Sequence, residues 1–161
     1  MTRLVTGLVL AISIGAVAWG ETWRFNAGTG VGPILLNGDY LSPTRLGLTP
    51  GEGIQINGGY YLKYKEGIET ECSGKRIAQI VVLSSKFNTK NGPVEIQFPG
   101  NLVIGSTAQQ MQSALGVTNL SHAMPTAKNA PPRMYYAYQN QGLGLITEGG
   151  KIIQFDVFAR R

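Results

Sequence analysis

The side chains with the widest chemical reach are few. The chain carries one histidine, His122, and one cysteine, Cys72. Structural zinc sites, iron–sulfur clusters and disulfide scaffolds each need several such residues. Those classes are excluded, and no cofactor or metal is expected. A hydrolase triad would have to join His122 with Asp39 or Asp156 and a serine. Triads are defined by geometry, and nothing in the spacing brings these residues together. A cysteine nucleophile needs a base of the histidine type, yet His122 lies in an unrelated Ser/Ala/Pro-rich stretch, and Cys72 reads as a buried thiol in a strand or hairpin. The run Gly28-Thr29-Gly30-Val31-Gly32 lacks the strand–loop–helix context of a phosphate loop; it reads as a flexible lead-in to the first strand. The acidic residues are scattered, without the pairing of a glycosidase or a calcium site. The expectation is a protein that is not an enzyme.

The tyrosines point instead to binding. Tyrosine gives large contact area at low entropic cost. Alternate residues of a strand share a face, so Tyr136 and Tyr138 fall with Met134, and Tyr135 falls with Ala137. In an earlier strand, Tyr61 shares a face with Lys63, opposite Tyr60, Leu62 and Tyr64. If one face packs beneath helices, the other displays rings on an open sheet. Tyr61, Tyr136 and Tyr138 are the candidate partner-binding anchors, with Lys63 and Arg133 as a charged rim.

Length and charge limit what can hold these residues. The chain has 161 residues, charged side chains make up 14%, and the formal net charge is +5. It starts with a positive Met1–Arg3, then an uncharged apolar run to Ala18, with small residues at Ala16, Ala18 and Gly20. That order is a secretory signal peptide. The run is shorter than the roughly 20 residues that span a bilayer, so cleavage after Ala18 or Gly20 is expected. The protein is then periplasmic or secreted, with membrane contact only through the signal peptide. Export makes nucleic acid an unsuitable partner. The dispersed basic excess leaves an acidic protein or an anionic envelope surface as possible contacts.

The rest of the chain is written twice. Residues 67–83 align with 142–158 without a gap at an offset of 75, with identities at Gly67/Gly142, Gly74/Gly149, Ile77/Ile152, Gln79/Gln154 and Val82/Val157. The same offset puts Tyr60-Tyr61 on Tyr135-Tyr136. Each copy begins with a strand, 33–36 or 101–104, followed by a short helix. In the second copy Ser106 or Thr107 can cap it through a capping box with Gln109 or Gln110. Met111 and Leu115 share its inner face, and Gly116 stops it. In the first copy Ser42-Pro43 starts it and Gly47 ends it. Three strands follow: 60–65, 68–72 and 77–83, then 134–139, 143–147 and 152–158. Residues 94–98 read as one more strand. The organisation expected is a signal peptide (1–20), a first repeat (21–83), a solvated linker (84–93) and a second repeat (94–161). The fold class is α+β: mostly antiparallel sheet from two pseudo-repeats, covered on one face by short helices.

This order of elements, best carried by residues 104–116 and 135–158, resembles the unit of the beta-lactamase inhibitor protein fold. It is also similar to the small outer-membrane assembly lipoproteins of the same unit fold. The tandem inhibitors carry disulfides and the lipoproteins a lipidated N-terminal cysteine, whereas this chain has Cys72 alone. The resemblance implies a tandem-repeat α+β fold. Together with the residues above, it implies a non-catalytic module that occludes a protein partner, such as an exported hydrolase, with its sheet face. The alternative is an envelope-assembly or structural component.

Overall fold

Apolar residues recur at every second position through most of the chain, and the period-2 pattern folds as strand. A computed structural model describes residues 20–118 and 120–160. The expected export segment, as far as residue 19, and the expected cut after Ala18 lie outside the described residues. The elements are β1 (Glu21–Asn26), β2 (Gly30–Val31), β3 (Ile34–Leu35), α1 (Ser42–Arg45), β4 (Pro50–Ile56), β5 (Gly59–Tyr64), β6 (Ile68–Ser73) and β7 (Arg76–Val82). There follow β8 (Lys86–Thr89), β9 (Gly92–Gln97), α2 (Ala108–Leu115), β10 (Ser121–Met124), β11 (Arg133–Tyr138), β12 (Leu143–Glu148) and β13 (Lys151–Phe158).

The strands form two sheets. The larger runs β10-β11-β12-β13-β7-β6-β5-β4 and the smaller β3-β2-β1-β9-β8. The large sheet is antiparallel throughout, whereas β1 and β9 pair in parallel. The α+β class therefore holds in its coarse form, as sheet with little helix. One face of the large sheet is covered mainly by the second sheet. Phe25 and Phe98 of the smaller layer meet Phe155 of β13, Phe98 stacking on it at 4.0 Å and Phe25 meeting it edge-on at 5.7 Å. Leu143, Leu145, Ile80, Val82 and Ile68 complete this core from the large sheet, and Met111 is the buried residue of α2.

The helix beginning at Thr107 forms as its sequence requires. The Thr107 hydroxyl accepts from the Gln110 amide and the Gln110 side chain accepts from the Thr107 amide, a complete capping box. Ser106 is not the cap; its Oγ accepts from Val103 N at 3.0 Å. That local turn, together with the 3-10 turn Pro99–Asn101, replaces the strand expected at 101–104. In α1 the N-cap is Leu41, and Ser42 makes no capping bond.

Two further expectations are corrected. Residues 84–93 are not a bare connection, because β8 and the start of β9 form a hairpin there. The glycine run 28–32 is not a loose lead-in either. It makes the β1–β2 turn and ties to the large sheet through Gly28 N to Gly142 O, 3.1 Å. Gly142 is fixed by this approach: its φ is +71°, and a Cβ there would sit 2.5 Å from Gly28 Cα.

Phe155→Ala removes the ring at the centre of the aromatic stack, and the unfolding free energy should fall by about 3–5 kcal/mol. Phe158→Ala, half-buried on the opposite face, should cost less than half as much. Urea denaturation midpoints compare the two. A loss under about 1 kcal/mol for Phe155→Ala would remove that ring from the core.

Candidate functional site

The large sheet buries its two faces by different means. Every residue that β5–β7 and β11–β13 give to the hydrophobic core lies on the face toward the small sheet. Val81, Ala137 and Ile146 are also buried, yet stand outside that core. They lie on the opposite face, where side chains of the sheet itself cover them.

Three rows of cross-strand neighbours organise this second face. The middle row runs Ala137, Gly144, Asp156, Val81, Glu69, Lys63 across β11, β12, β13, β7, β6 and β5. A neighbouring row runs Phe158, Gln79, Glu71, Tyr61, Ile54. Tyr135 stands on the other side, paired with Ile146. Its ring leans over Gly144, so that a Cβ on that glycine would lie 2.6 Å from the phenol oxygen. Tyr61 leans the other way, and its hydroxyl donates to Glu69 Oε2. Both phenols therefore tilt toward the middle row.

Asp156 is the electrostatic centre of the face. It is 2% exposed, and its hydrogen bond is from Gln154 Nε2 to Oδ1, 2.7 Å. Burial raises its pKa to about 6, with Glu69 adding to the rise and the Gln154 bond opposing it. Burial and the hydrogen-bonded Glu69 also hold the Tyr61 hydroxyl well above the ordinary phenol range. Burial raises Tyr135, and the charge of Asp156 adds to it. Beside these groups a groove of about 490 Å³ opens between Tyr135 and Glu71, over Gln79 and Phe158.

The sequence candidates divide between the faces. Tyr61 and Lys63 lie on the uncovered face, and Lys63 Nζ meets Glu52 at 3.1 Å. Arg133 is exposed on the same face and pairs with Glu148 at 2.7 Å. Tyr136 and Tyr138 oppose Leu145 and Leu143 on the covered face. Tyr136 packs against the core, while Tyr138 is 7% exposed and donates its hydroxyl to Gly116 O at 2.9 Å. As exposed anchors these two are corrected. The ungapped offset equates Tyr61 with Tyr136, but three residues join Tyr138 to Gly142 where two join Tyr64 to Gly67. One extra residue moves every side chain of β11 to the other face. Tyr135, which opposes Ile146, thus takes the place that Tyr61 holds opposite Glu71.

His122 opposes Tyr135 on the edge strand β10, the rings 5.3 Å apart. Asp156 is three strands away, about 14 Å at ordinary strand spacing, so the two are not brought together. Asp39 is engaged elsewhere, with Arg45 at 2.9 Å and the Leu41 amide at 3.0 Å. Cys72 is buried on the covered face, its thiol near Thr70 Oγ1 at 3.7 Å. Asp156 and Tyr135 are the site residues that sequence reasoning missed. The signal for Asp156 was present: a lone acid in the apolar run Ile152–Phe158 faces a glycine only if β12 lies alongside.

Tyr138→Phe should cost about 1 kcal/mol through the lost bond to Gly116, with partner binding unchanged. A pH series tests Asp156. Its folded pKa of about 6 lies above the ordinary 3.8, so the folded state holds the proton more tightly. Stability is then greatest in acid and falls as pH rises from about 4 to above 6, by on the order of 3 kcal/mol. Asp156→Asn should flatten that window and raise stability at pH 8. Denaturation at pH 4.5 and 8 reads both, and an unchanged slope in the variant would assign the dependence elsewhere. Family models, curated proteins and solved structures give no match to this chain.

Proposed function

We propose that the protein is an exported, non-catalytic binding module that occludes a protein partner with the uncovered face of its large sheet, as an inhibitor or immunity protein does. The observation that carries this reading is the pair Tyr61 and Tyr135, laid over a sheet face that core packing does not use. Tyrosine-rich faces of this kind suit partner contact. The charged N-terminus, apolar run and small residues before Trp19 support export to the periplasm or beyond. The separation of His122 from Asp39 and Asp156 supports a non-catalytic role.

We also infer that the large sheet comes from a duplicated unit. Its two halves, β4–β7 and β10–β13, carry β-bulges between Glu71/Cys72 and Ile146/Thr147, at the offset of 75. The pairs Ile80/Val157 and Val82/Phe155 exchange under that offset, as a local two-fold through Val81 and Asp156 requires.

Capture from the native envelope fraction tests the binding reading, with a variant on each surface. Gln79→Arg places a large cation on the uncovered face, and Gln112→Arg places one on the exposed side of α2. A stoichiometric protein partner should be lost at least tenfold with Gln79→Arg and retained with Gln112→Arg. Equal retention by both variants would overturn the sheet face as the contact. Recovery only with cell-wall or outer-membrane material would favour an envelope-assembly component.

A further inference from the structure

We propose that the outer edge of β10 pairs antiparallel with the same strand of a second copy, joining two large sheets about a two-fold axis at His122. The inference goes beyond partner binding by the uncovered face and does not depend on it. β10 ends the large sheet. Leu120 O accepts from Ala137 N at 2.8 Å, so the peptide groups of Leu120 point inward to β11. That direction alternates along an antiparallel strand. His122 and Met124 therefore point inward as well, while Ser121 and Ala123 hold their N–H and C=O groups outward. Leu120, Ser121, His122 and Ala123 are all exposed.

Free sheet edges are ordinarily blunted by charge, proline, bulges or shortness. The other edges among the described residues carry these devices. β4 has Pro50, Glu52 and a register shift between Pro50 and Gly53. β3 is two residues long, and β8 bears Lys86, which pairs with Glu95. β10 reads Ser-His-Ala-Met, without proline, lysine or carboxylate, and its register with β11 is unbroken.

Two observations select a second copy as the occupant. The first is charge. A chain of net +5 repels its own kind, yet no Asp, Glu, Lys or Arg lies between Glu95 and Lys128. β10 falls in that neutral stretch, so two copies meet there without opposing like charges. The second is symmetry. Leu120-Ser121-His122-Ala123-Met124 reads large apolar, small, histidine, small, large apolar in both directions. Pairing centred on His122 sets Leu120 against Met124 of the second copy and Ser121 against its Ala123, each twice. An isologous contact requires this self-complementarity.

Ser121 and Ala123 then exchange backbone bonds across the axis, and the two His122 side chains meet in a non-hydrogen-bonded pair, the closer kind. They extend the row that His122 makes with Tyr135, 5.3 Å away. The seam of β7 with β13 is a joint of the same kind inside one chain. The axis stands perpendicular to the sheet, so both uncovered faces look the same way. The contact is narrow, and the dimer should be reversible.

The test is sedimentation of the processed chain over a concentration series up to about 1 mM, the weak end of specific association. A concentration-dependent dimer should appear. Ala123→Pro deletes an outward N–H and spares the bonds to β11. His122→Asp sets two carboxylates side by side at the axis. Each, with an unchanged circular dichroism spectrum, should weaken the dimer at least tenfold. Gln55→Arg, on the edge strand β4, should leave it intact. His122→Cys should form a covalent dimer on mild oxidation, whereas the unaltered chain, whose Cys72 is buried, should not. A monomer at every concentration would overturn the proposal, as would a dimer indifferent to the β10 variants or an assembly that grows past two copies. If the chain stays monomeric while Ala123→Pro abolishes partner capture, the edge takes a strand of the partner and the second copy falls.

Discussion

The pairing of β7 with β13 makes one sheet out of two four-stranded halves. Val82 meets Phe155 and Ile80 meets Val157 on the covered side, while Val81 meets Asp156 on the other. Neither half has enough apolar surface to stand alone, since units of this size bury too little of their chain. Joined along this seam, they present a surface broad enough for the aromatic cover from β1 and β9. The cover completes the seam in turn, through Phe98 stacked on Phe155.

The same seam brings an electrostatic cost. A residue on β13 at the centre of the sheet has no edge to lean toward, and Asp156 sits there almost wholly buried. An ionised carboxylate in that place loses its hydration, and one amide from Gln154 replaces little of it. A hydrophobic residue would pack there more favourably, as Val81 does at the opposing position. The acid there is held with its pKa raised by burial, where packing favours an aliphatic side chain. Tyr61 and Tyr135 tilt toward its row from the two sides, and a groove opens beside Tyr135.

Much of the large sheet was legible in the sequence, and so was the helix start at Thr107. The strand–turn–strand units containing Cys72 and Thr147 carry strong period-2 signals and glycine turns. β1 was missed although Trp23 and Phe25 alternate with polar residues, because its partner in the parallel pair is β9, about seventy residues on in the chain. Strands β4, β8 and β10 left no clear pattern. Pro50–Ile56 is exposed almost throughout and contains two glycines, so only its pairing to β5 makes it a strand. Of the candidate site, which face would be exposed was open in the sequence. The structure has Tyr61, Lys63 and Arg133 on the uncovered face and Tyr136 and Tyr138 on the covered one, where one residue in a turn puts Tyr135 in the place expected for Tyr136.

Local sequence by itself determined which residues share a face within each regular stretch of strand, because strand periodicity is covalent geometry. At the bulges between Glu71/Cys72 and Ile146/Thr147 the pairing decided it, and Ile77 and Ile152 face the core while Gln79 and Gln154 do not. It also determined the turns, the cap at Thr107 and the poverty of catalytic groups. Which face would be covered was decided only by the tertiary structure. The parallel pairing of β1 with β9 builds the second layer, and the three-residue turn after Tyr138 sets the register that puts Tyr138 beneath it. Both are long-range or one-residue effects, to which an alternating pattern is blind: shifting a strand by one position preserves the period and inverts the faces. The burial of Asp156 and the tilt of Tyr135 over Gly144 follow from that choice.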